Sequence, residues 1–261
     1  MTQLSNRQLD RLGDRLRISD PTAEDLELLG QVGELYAGAL DEVTRVLADL
    51  DLEPGGRPKT VGTLVDKLRR MPELPLSKMQ DIAGARVVAE MTREEQDRLV
   101  ERITARFDSY RVKDRRIEPS FGYRAVHIIV RVQGRPVEIQ VRTRLQDLWA
   151  QIVERLADAW GRQIRYGEPP SEPDLRLREL TRQQFVDGLM QLSSAVDEVE
   201  RAKVLLAELD RLDEELRARG EEPELDEEMA AVRAQLEGRE RRLRATLERL
   251  HGASTRGTLA P

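Results

Sequence analysis

Three polar side chains on one predicted strand are the residues of this chain best suited to chemistry. Residues 137–143 alternate between apolar and polar types, so Glu138, Gln140 and Arg142 are expected on one face of a strand. Carboxylates hold hard cations and guanidinium groups bind phosphates. A carboxylate, an amide and a guanidinium in one row on a sheet surface therefore indicate a site rather than a core.

A second strand, predicted at residues 124–132, brings two further functional side chains to the same sheet. Its alternation places Tyr123 and His127 on a common face, and Gly134-Arg135-Pro136 is predicted as the turn between the two strands. An aromatic ring and an imidazole are thus expected beside the polar row of the neighbouring strand.

Positive charge and aromatic rings are concentrated around these strands. The chain has a net charge of −6, yet residues 111–150 contain nine basic side chains against four acidic ones. Seven of the nine Phe, Trp and Tyr residues lie between 107 and 166. Cations and stacking rings together are what a nucleotide-binding site needs. Most of these rings are equally expected in a sheet-built core, and Tyr123 is the exception.

The elements that must position these residues alternate between helix and strand. Helical spacing and capping signals, such as Asp20 as an N-cap and Thr92 with Glu95 as a capping box, define the helix starts. Strands are predicted at 81–89, 109–116, 124–132 and 135–142, and helices at 3–16, about 20–50, 60–71, 92–106 and 146–160. This alternation predicts an α/β (α+β) fold, a mixed β-sheet of at least four strands flanked by helices.

The C-terminal third has a different composition. Residues 174–218 and 225–250 consist almost entirely of Leu, Ala, Glu, Arg, Asp and Gln, which predicts a long helical hairpin or coiled coil. The expected seam consists of Leu205, Leu206, Leu209, Leu212 and Leu216. The predicted organisation is N-terminal helices over 1–54, one domain over 55–170, the hairpin over 171–250 and a disordered tail over 251–261.

Composition excludes several classes of protein. There is no cysteine, so disulfides and thiolate metal sites are ruled out. No apolar run approaches the roughly 20 residues that a membrane span requires, and the acidic balance argues against non-specific coating of nucleic acid. We therefore expect a cytoplasmic protein with no membrane partner.

Four ordered motifs resemble the synthetase domain of the RelA/SpoT alarmone family over roughly residues 55–167. They are Asp81-Ile82-Ala83-Gly84-Ala85-Arg86-Val87-Val88, Gly122-Tyr123-Arg124-Ala125-Val126-His127, Val137-Glu138-Ile139-Gln140-Val141-Arg142-Thr143 and Asp147-Leu148-Trp149-Ala150. The resemblance implies a nucleotidyltransferase-like fold and an enzyme that transfers pyrophosphate from ATP to the ribose 3′-hydroxyl of GDP or GTP. Such chemistry uses Mg²⁺ held by carboxylates and phosphate oxygens.

The resemblance also implies roles for individual residues. Asp81 would be the principal Mg²⁺ ligand, and Glu138 a second ligand or the group that takes the hydroxyl proton. Tyr123 would stack on the acceptor base. The ATP-binding residues would be Arg57, Lys59, Lys67 and Arg86, and the other acceptor-binding residues Lys113, His127, Gln140 and Arg142.

One departure from the family pattern leaves the acceptor open. The lysine expected just before Gly-Tyr is absent, and Ser120 and Phe121 stand there. Because that lysine helps to hold acceptor phosphates, a second interpretation is a toxin that pyrophosphorylates the tRNA 3′ end and is restrained by an antitoxin. A third is a non-catalytic helical scaffold. With two histidines, one near the C-terminus, no His-Asp hydrolase motif can be assembled.

The role of the C-terminal helices is open as well. An acidic block at residues 221–228 could be attracted to the basic 111–150 stretch and restrain the active site. The helices could equally form a homo-oligomer or bind another partner.

Overall fold

The computed structural model describes residues 4–58, 61–220 and 226–257. Two compact units are built from segments that are not contiguous in sequence. The first unit comprises Met1–Val87, Val100–Lys113 and His127–Val141, and the second comprises Val88–Leu99, Asp114–Val126 and Arg142–Pro261.

The first unit begins with helices α1 (Asn6–Ile18), α2 (Ala23–Ala48) and α3 (Val61–Arg70). Helix α1 contacts α3 and a 3₁₀ turn at Leu76–Lys78, while α2 packs against the first strand of the sheet. The predicted N-cap of α2 was wrong by two residues. Thr22 is the cap, because its hydroxyl accepts from the backbone of Asp25 while the Asp25 carboxylate accepts from the backbone of Thr22.

The sheet contains the strands β1 (Gly55–Pro58), β2 (Ala83–Ala89), β3 (Tyr110–Asp114), β4 (Val126–Val132) and β5 (Arg135–Thr143). They form a mixed sheet in the order β1-β2-β5-β4-β3, which confirms the predicted fold class. Strand β1, antiparallel to β2, was not predicted, because Gly55 and Gly56 are typical of a helix end and a loop.

The turn between β4 and β5 lies one residue earlier than predicted. Gln133 and Gly134 have φ angles of 50° and 75°, and positive φ at both central residues is typical of a two-residue type I′ hairpin turn. Arg135 and Pro136, predicted in the turn, are buried in β5. Tyr123 lies outside β4, so the strand alternation that was expected to relate it to His127 does not apply.

The second unit contains the start of α4 (Arg93–Thr104), then α5 (Arg144–Trp160), α6 (Arg182–Ala218) and α7 (Asp226–Thr255). The predicted Thr92–Glu95 capping box of α4 is confirmed. Helices α5, α6 and α7 all contact one another around a shared core. Its buried side chains include Leu148, Trp149, Ile152, Leu156, Trp160, Leu189, Val196, Val199, Leu243 and Leu247.

The two long C-terminal helices are confirmed, with three corrections. Residues 176–181 form two short strands, β6 (Arg176–Leu177) and β7 (Leu180–Thr181), where helix was predicted. In the predicted seam Leu205 and Leu212 are 57% and 55% exposed, because the buried positions of α6 lie in its first half, where α5 completes the core. Helix α7 continues through Thr255, so the predicted tail began too early; residues 258–261 and the break at 221–225 lie outside the described residues.

Across the described ranges, no helix is both long and apolar enough to cross a membrane.

Candidate active site

Glu138 is the centre of a polar cluster in the first unit. Its side chain, 14% exposed, projects from β5 and accepts two hydrogen bonds. His127 of β4 lies with Nδ1 2.8 Å from Oε1, and Gln140 donates from Nε2 to Oε2 at 2.7 Å. The sequence placed Glu138 and Gln140 on one face, and their hydrogen bond agrees.

This environment keeps Glu138 ionised. Burial alone would raise the pKa of its carboxyl group, and the nearby charge of Asp81 acts in the same direction. The hydrogen bonds from His127 and Gln140, together with the charge of His127, outweigh both effects and hold the pKa of Glu138 below its usual range. The cluster therefore presents an anionic oxygen pair at neutral pH.

Asp81 is the second carboxylate of the first unit. It lies in the segment between the 3₁₀ turn at Leu76–Lys78 and β2, and Lys67 of α3 donates from Nζ to its Oδ1 at 2.6 Å. The two side chains are 24% and 20% exposed, so solvent reaches both. The negative charge of Asp81 also acts to raise the pKa of Glu138, more weakly than burial, His127 and Gln140 act on that carboxylate.

The strands β1, β2 and β5 approach closely at Gly84. The register places Arg57 of β1 opposite Gly84 of β2, and a Cβ added to Gly84 would lie 3.2 Å from the carbonyl oxygen of Glu138. A larger residue would therefore push β2 away from the strand that carries Glu138.

Arg86 lies on the less buried face of β2. Ala83, Ala85 and Val87 are buried, whereas Arg86 is only partly so and pairs in register with Gly55. Its alternation was expected to oppose that of Asp81. Since Asp81 precedes β2 by two residues, strand alternation does not relate the two side chains.

Lys113 is the remaining predicted phosphate-binding residue of the first unit whose side chain the structure describes. Lys113 on β3 is exposed, and its side chain makes no hydrogen bond or ion pair with the residues that the structure describes. Lys59 and the side chain of Arg57 lie outside the described part of the chain.

The second unit contains Tyr123 and the buried cation that supports it. Arg142, only 1% exposed, donates from Nη2 to the Tyr123 hydroxyl at 3.1 Å, and its guanidinium carbon is 5.0 Å from the centre of the tyrosine ring. Asp147 accepts from its Nη1 at 3.0 Å, and Glu154 lies 3.6 Å from Nη2. Burial would lower the pKa of Arg142, but Tyr123 and the two carboxylates outweigh it and raise that pKa.

Arg142 was predicted on an exposed face beside Gln140, and the structure corrects this. A guanidinium that is almost fully buried and bonded to Asp147 serves to hold Tyr123, because no surface of it is left for a ligand. Asp147 was recognised only as part of a motif, and its ion pair with Arg142 was not predicted. The available signal was an acidic residue in the first turn of α5, shortly after an arginine of opposite charge.

The Tyr123 loop (residues 119–125) rests on α6. Phe121 and Gly122 have φ angles of 50° and 80°. A Cβ on Gly122 would lie 2.8 Å from Trp149 and 2.9 Å from Met190, so glycine is required by both conformation and space. Ser193 and Asp197 of α6 bind the backbone of Gly122 and the side chain of Arg124. Sequence reasoning missed both residues.

The carboxylates of the first unit are suited to Mg²⁺. The described residues include no group of three or more His, Cys, Asp or Glu side chains that could hold a metal alone. Mg²⁺ commonly takes only one or two protein carboxylates and completes its coordination with substrate phosphates and water. Asp81 and Glu138 supply that number of hard oxygen donors, so the residues fit this ion when phosphates accompany it.

Comparison with known proteins places this site in a family. The region found in RelA and SpoT proteins matches residues 56–157. Uncharacterized proteins of Mycobacterium tuberculosis and Mycobacterium bovis are 40% identical over 198 residues, which span 73% of this chain and 72% of theirs. The chain belongs to the RelA/SpoT family. The matched region contains Asp81, Tyr123, His127 and Glu138.

The RelA/SpoT fold is also found in the crystal structure of small alarmone synthetase 1 from Bacillus subtilis. That protein is 21% identical in sequence, and the superposition covers 74% of this chain and 99% of the other with a TM-score of 0.50. The similarity confirms the expected fold, a mixed sheet with flanking helices.

Proposed function

We propose that this protein is a Mg²⁺-dependent pyrophosphokinase that transfers pyrophosphate from ATP to the ribose 3′-hydroxyl of GDP or GTP. Membership of the RelA/SpoT family supports a pyrophosphotransferase and alarmone synthesis at the level of the family. The observation that carries the proposal is a pair of carboxylates in the first unit: Asp81, bonded to Lys67, and Glu138, whose two oxygens are bonded to His127 and Gln140.

The reaction joins the acceptor O3′ to the β-phosphorus of ATP and breaks the bond between that phosphorus and the oxygen bridging to the α-phosphate, so that AMP leaves. Asp81 and Glu138 would hold Mg²⁺, which when bound neutralises charge on the transferring phosphates. Lys67 would move from Asp81 to a phosphate oxygen. Arg57, Lys59 and Arg86 are the other proposed contacts of the ATP phosphates or adenine.

The lowered pKa of Glu138 favours one of its two proposed roles. A carboxylate stabilised in its ionised form is a good cation ligand and a weak proton acceptor. We infer that Glu138 acts mainly through its charge, by binding the cation or by orienting the 3′-hydroxyl through a hydrogen bond. His127 and Gln140 fix both carboxylate oxygens for this purpose.

The acceptor would stack its base on Tyr123. The buried Arg142 donates a hydrogen bond to the phenol hydroxyl. This bond fixes the ring and so lowers the conformational entropy lost when a base stacks on it. His127, Gln140 and the exposed Lys113 are the proposed contacts of the acceptor ribose and phosphates.

One assay tests the proposal. The purified protein is incubated with Mg²⁺, γ-³²P-ATP and, separately, GDP, GTP, AMP or bulk tRNA. Pyrophosphate transfer predicts labelled guanine nucleotide and an equal amount of AMP. Phosphoryl transfer would yield ADP instead, and labelled inorganic phosphate alone would indicate hydrolysis; either result would reject the proposed reaction.

A specific observation favours a second candidate, pyrophosphorylation of the tRNA 3′ end with an antitoxin as partner. Ser120 and Phe121 stand where the family pattern has a phosphate-binding lysine, and Phe121 is 52% exposed at a positive φ. Its ring packs on Gly167, where an added Cβ would lie 2.2 Å from the ring. An exposed, fixed ring beside Tyr123 would suit a second stacked base better than it suits a phosphate. Label in tRNA and none in GDP or GTP would select this candidate.

The non-catalytic scaffold is the remaining interpretation. It predicts no label in any of the four acceptors and no AMP, although the protein is folded.

A further inference from the structure

We propose that helix α6 positions the acceptor-stacking tyrosine, with Ser193 and Asp197 as positioning residues for the Tyr123 loop. This inference rests on the proposed function. It assigns to the C-terminal helices a part in acceptor binding, in place of the restraint, dimerisation or partner-binding roles that the sequence left open.

Ser193 joins α6 directly to the backbone of the loop. Its side chain is buried at 3% exposure, and its hydroxyl donates to the carbonyl oxygen of Gly122, the residue before Tyr123. The same hydroxyl accepts from Arg124 Nε at 3.3 Å. One hydroxyl thus holds both neighbours of Tyr123.

Asp197, one helical turn further along α6, fixes Arg124 from the other side. Its Oδ1 lies 3.2 Å from Arg124 Nη1 and also pairs with Arg93 of α4. Arg124 Nη1 further donates to the carbonyl oxygen of Arg116 at 2.7 Å. The guanidinium next to Tyr123 is therefore fixed by α6 and by the chain that leads into the loop.

Close packing beneath the loop fixes α6 against α5. Trp149 of α5 donates from Nε1 to the carbonyl oxygen of Leu189 at 2.6 Å, and Gly122 rests on Trp149 and Met190. The loop has positive φ at two consecutive residues, one of them Phe121. Such a backbone persists only where surrounding contacts determine it, and α6 supplies those contacts.

The next turn of α6 holds the residue that follows Arg142 in the chain. Glu200 is buried at 5% exposure and accepts from Thr143 Oγ1 at 2.6 Å and from Gln146 Nε2 at 2.9 Å. Thr143 caps α5 and directly follows Arg142 in the chain. Successive turns of one helix thus hold the Tyr123 loop and the residue that follows Arg142.

The consequence is a selective effect on the acceptor. The hydrogen bonds of Asp81, Lys67 and Glu138 described above join residues of the first unit. Those of Ser193, Asp197 and Glu200 join residues of the second unit. Loosening the loop should therefore weaken acceptor binding and leave ATP binding unchanged.

The test compares Ser193→Ala/Asp197→Asn with Ser194→Ala/Glu198→Gln, a matched control at the adjacent, exposed positions of the same helix. We expect the first variant to raise the KM for the acceptor about tenfold, because it removes a buried hydroxyl and a charge-assisted bond. Its KM for ATP should stay within about twofold of the wild type. The control should match the wild type in both constants. Equal increases in the two KM values, or no increase, would overturn the inference.

Hydrogen exchange of the backbone amides gives a readout that does not depend on activity. In the Ser193→Ala/Asp197→Asn variant, peptides covering residues 119–125 should exchange faster while those covering 81–89 stay unchanged. If the double variant fails to fold, Ser193→Ala alone provides the same comparison. If the wild type transfers pyrophosphate to no acceptor, the proposed function fails, yet unchanged exchange at 119–125 would still reject the positioning role by itself.

Discussion

Tyr123 and Arg142 illustrate how a ring can be prepared for stacking at the scale of single residues. The phenol accepts from a guanidinium that is itself paired with Asp147, so a buried, neutralised cation orients the ring. The cost of burying Arg142 is offset by these bonds, because a buried charge is tolerated only when it is paired.

Substitution of Tyr123 tests this arrangement. Tyr123→Ala should lose about 1–3 kcal/mol of acceptor binding, whereas Tyr123→Phe keeps the stacking surface and should retain most of it. The affinity for ATP should barely change. Titration of each variant with acceptor and, separately, with a non-hydrolysable ATP analogue measures the two effects; equal weakening of both would show that Tyr123 has only a structural role.

At the scale of secondary structure, periodicity and capping residues predicted most of the elements. The Thr92–Glu95 box and the strand at Ala83–Ala89 were read correctly because each depends on neighbours within a few residues. The β4–β5 turn was misplaced because Gln133 adopts a positive φ, which a glutamine does not predict. Strand β1 was missed because Gly55 and Gly56 are typical of a loop, and because its partner β2 lies far along the chain, where no local pattern reveals the pairing.

Some residues of the candidate site could likewise be predicted from the sequence, and others could not. Residue types and alternation indicated Glu138 and Gln140, and the family resemblance indicated Asp81 and Tyr123. The partners Ser193 and Asp197 could not be predicted, because they lie about seventy residues from the loop that they bind and have ordinary helical surroundings. The burial of Arg142 was hidden for a related reason, since it depends on contacts with Tyr123 in a loop and with Asp147 in the following helix.

Helix α7 contributes a pH dependence through His251. Burial and the charges of Arg155 and Arg144 lower the pKa of this histidine, while Asp147 acts in the opposite direction. Nε2 of the His251 ring lies 2.9 Å from Oε1 of Gln151. The unfolded chain therefore binds a proton at His251 more readily than the folded chain does. The contribution of neutral His251 to the free energy of unfolding is complete above the unfolded pKa of about 6.5 and is lost as the pH falls through the folded pKa.

The comparison of His251→Gln with the wild type isolates this effect. The melting temperature of the wild type should fall more steeply between pH 7.5 and 5.5 than that of the variant. Thermal melts followed by circular dichroism at several pH values provide the measurement. Parallel curves for the two proteins would contradict the assignment to His251.

At the scale of the whole molecule, α6 and α7 are part of a core. Leu189, Val196 and Val199 of α6 and Leu243 and Leu247 of α7 are buried with α5. A restraint or dimerisation arm that can be removed would not need to share its apolar residues with the rest of a unit. The exposed second half of α6, with Leu205 and Leu212, is the part that remains available for a partner.

Truncation after residue 172 separates these roles. Removing both helices exposes Trp149, Ile152 and Leu156, so we expect an aggregated or partly unfolded product with no transfer activity. Truncation within the hairpin at residues 208–233, replaced by a short Gly-Ser linker, should leave the core intact and the activity unchanged. Sedimentation and the transfer assay measure both; a well-folded, active protein that ends at residue 172 would contradict the structural role of the helices.

The transfer of label from γ-³²P-ATP in the wild type, Asp81→Asn and Glu138→Gln tests the central claim most directly. Glu118→Gln is a matched control, because Glu118 is an exposed carboxylate beside the Tyr123 loop. With Mg²⁺ saturating, the wild type and the control should produce labelled acceptor and AMP in equal amounts, and the two site variants should lose on the order of 10²–10³-fold in rate while keeping their fold. A substantial rate in either folded site variant would contradict the assignment of these two carboxylates to pyrophosphate transfer.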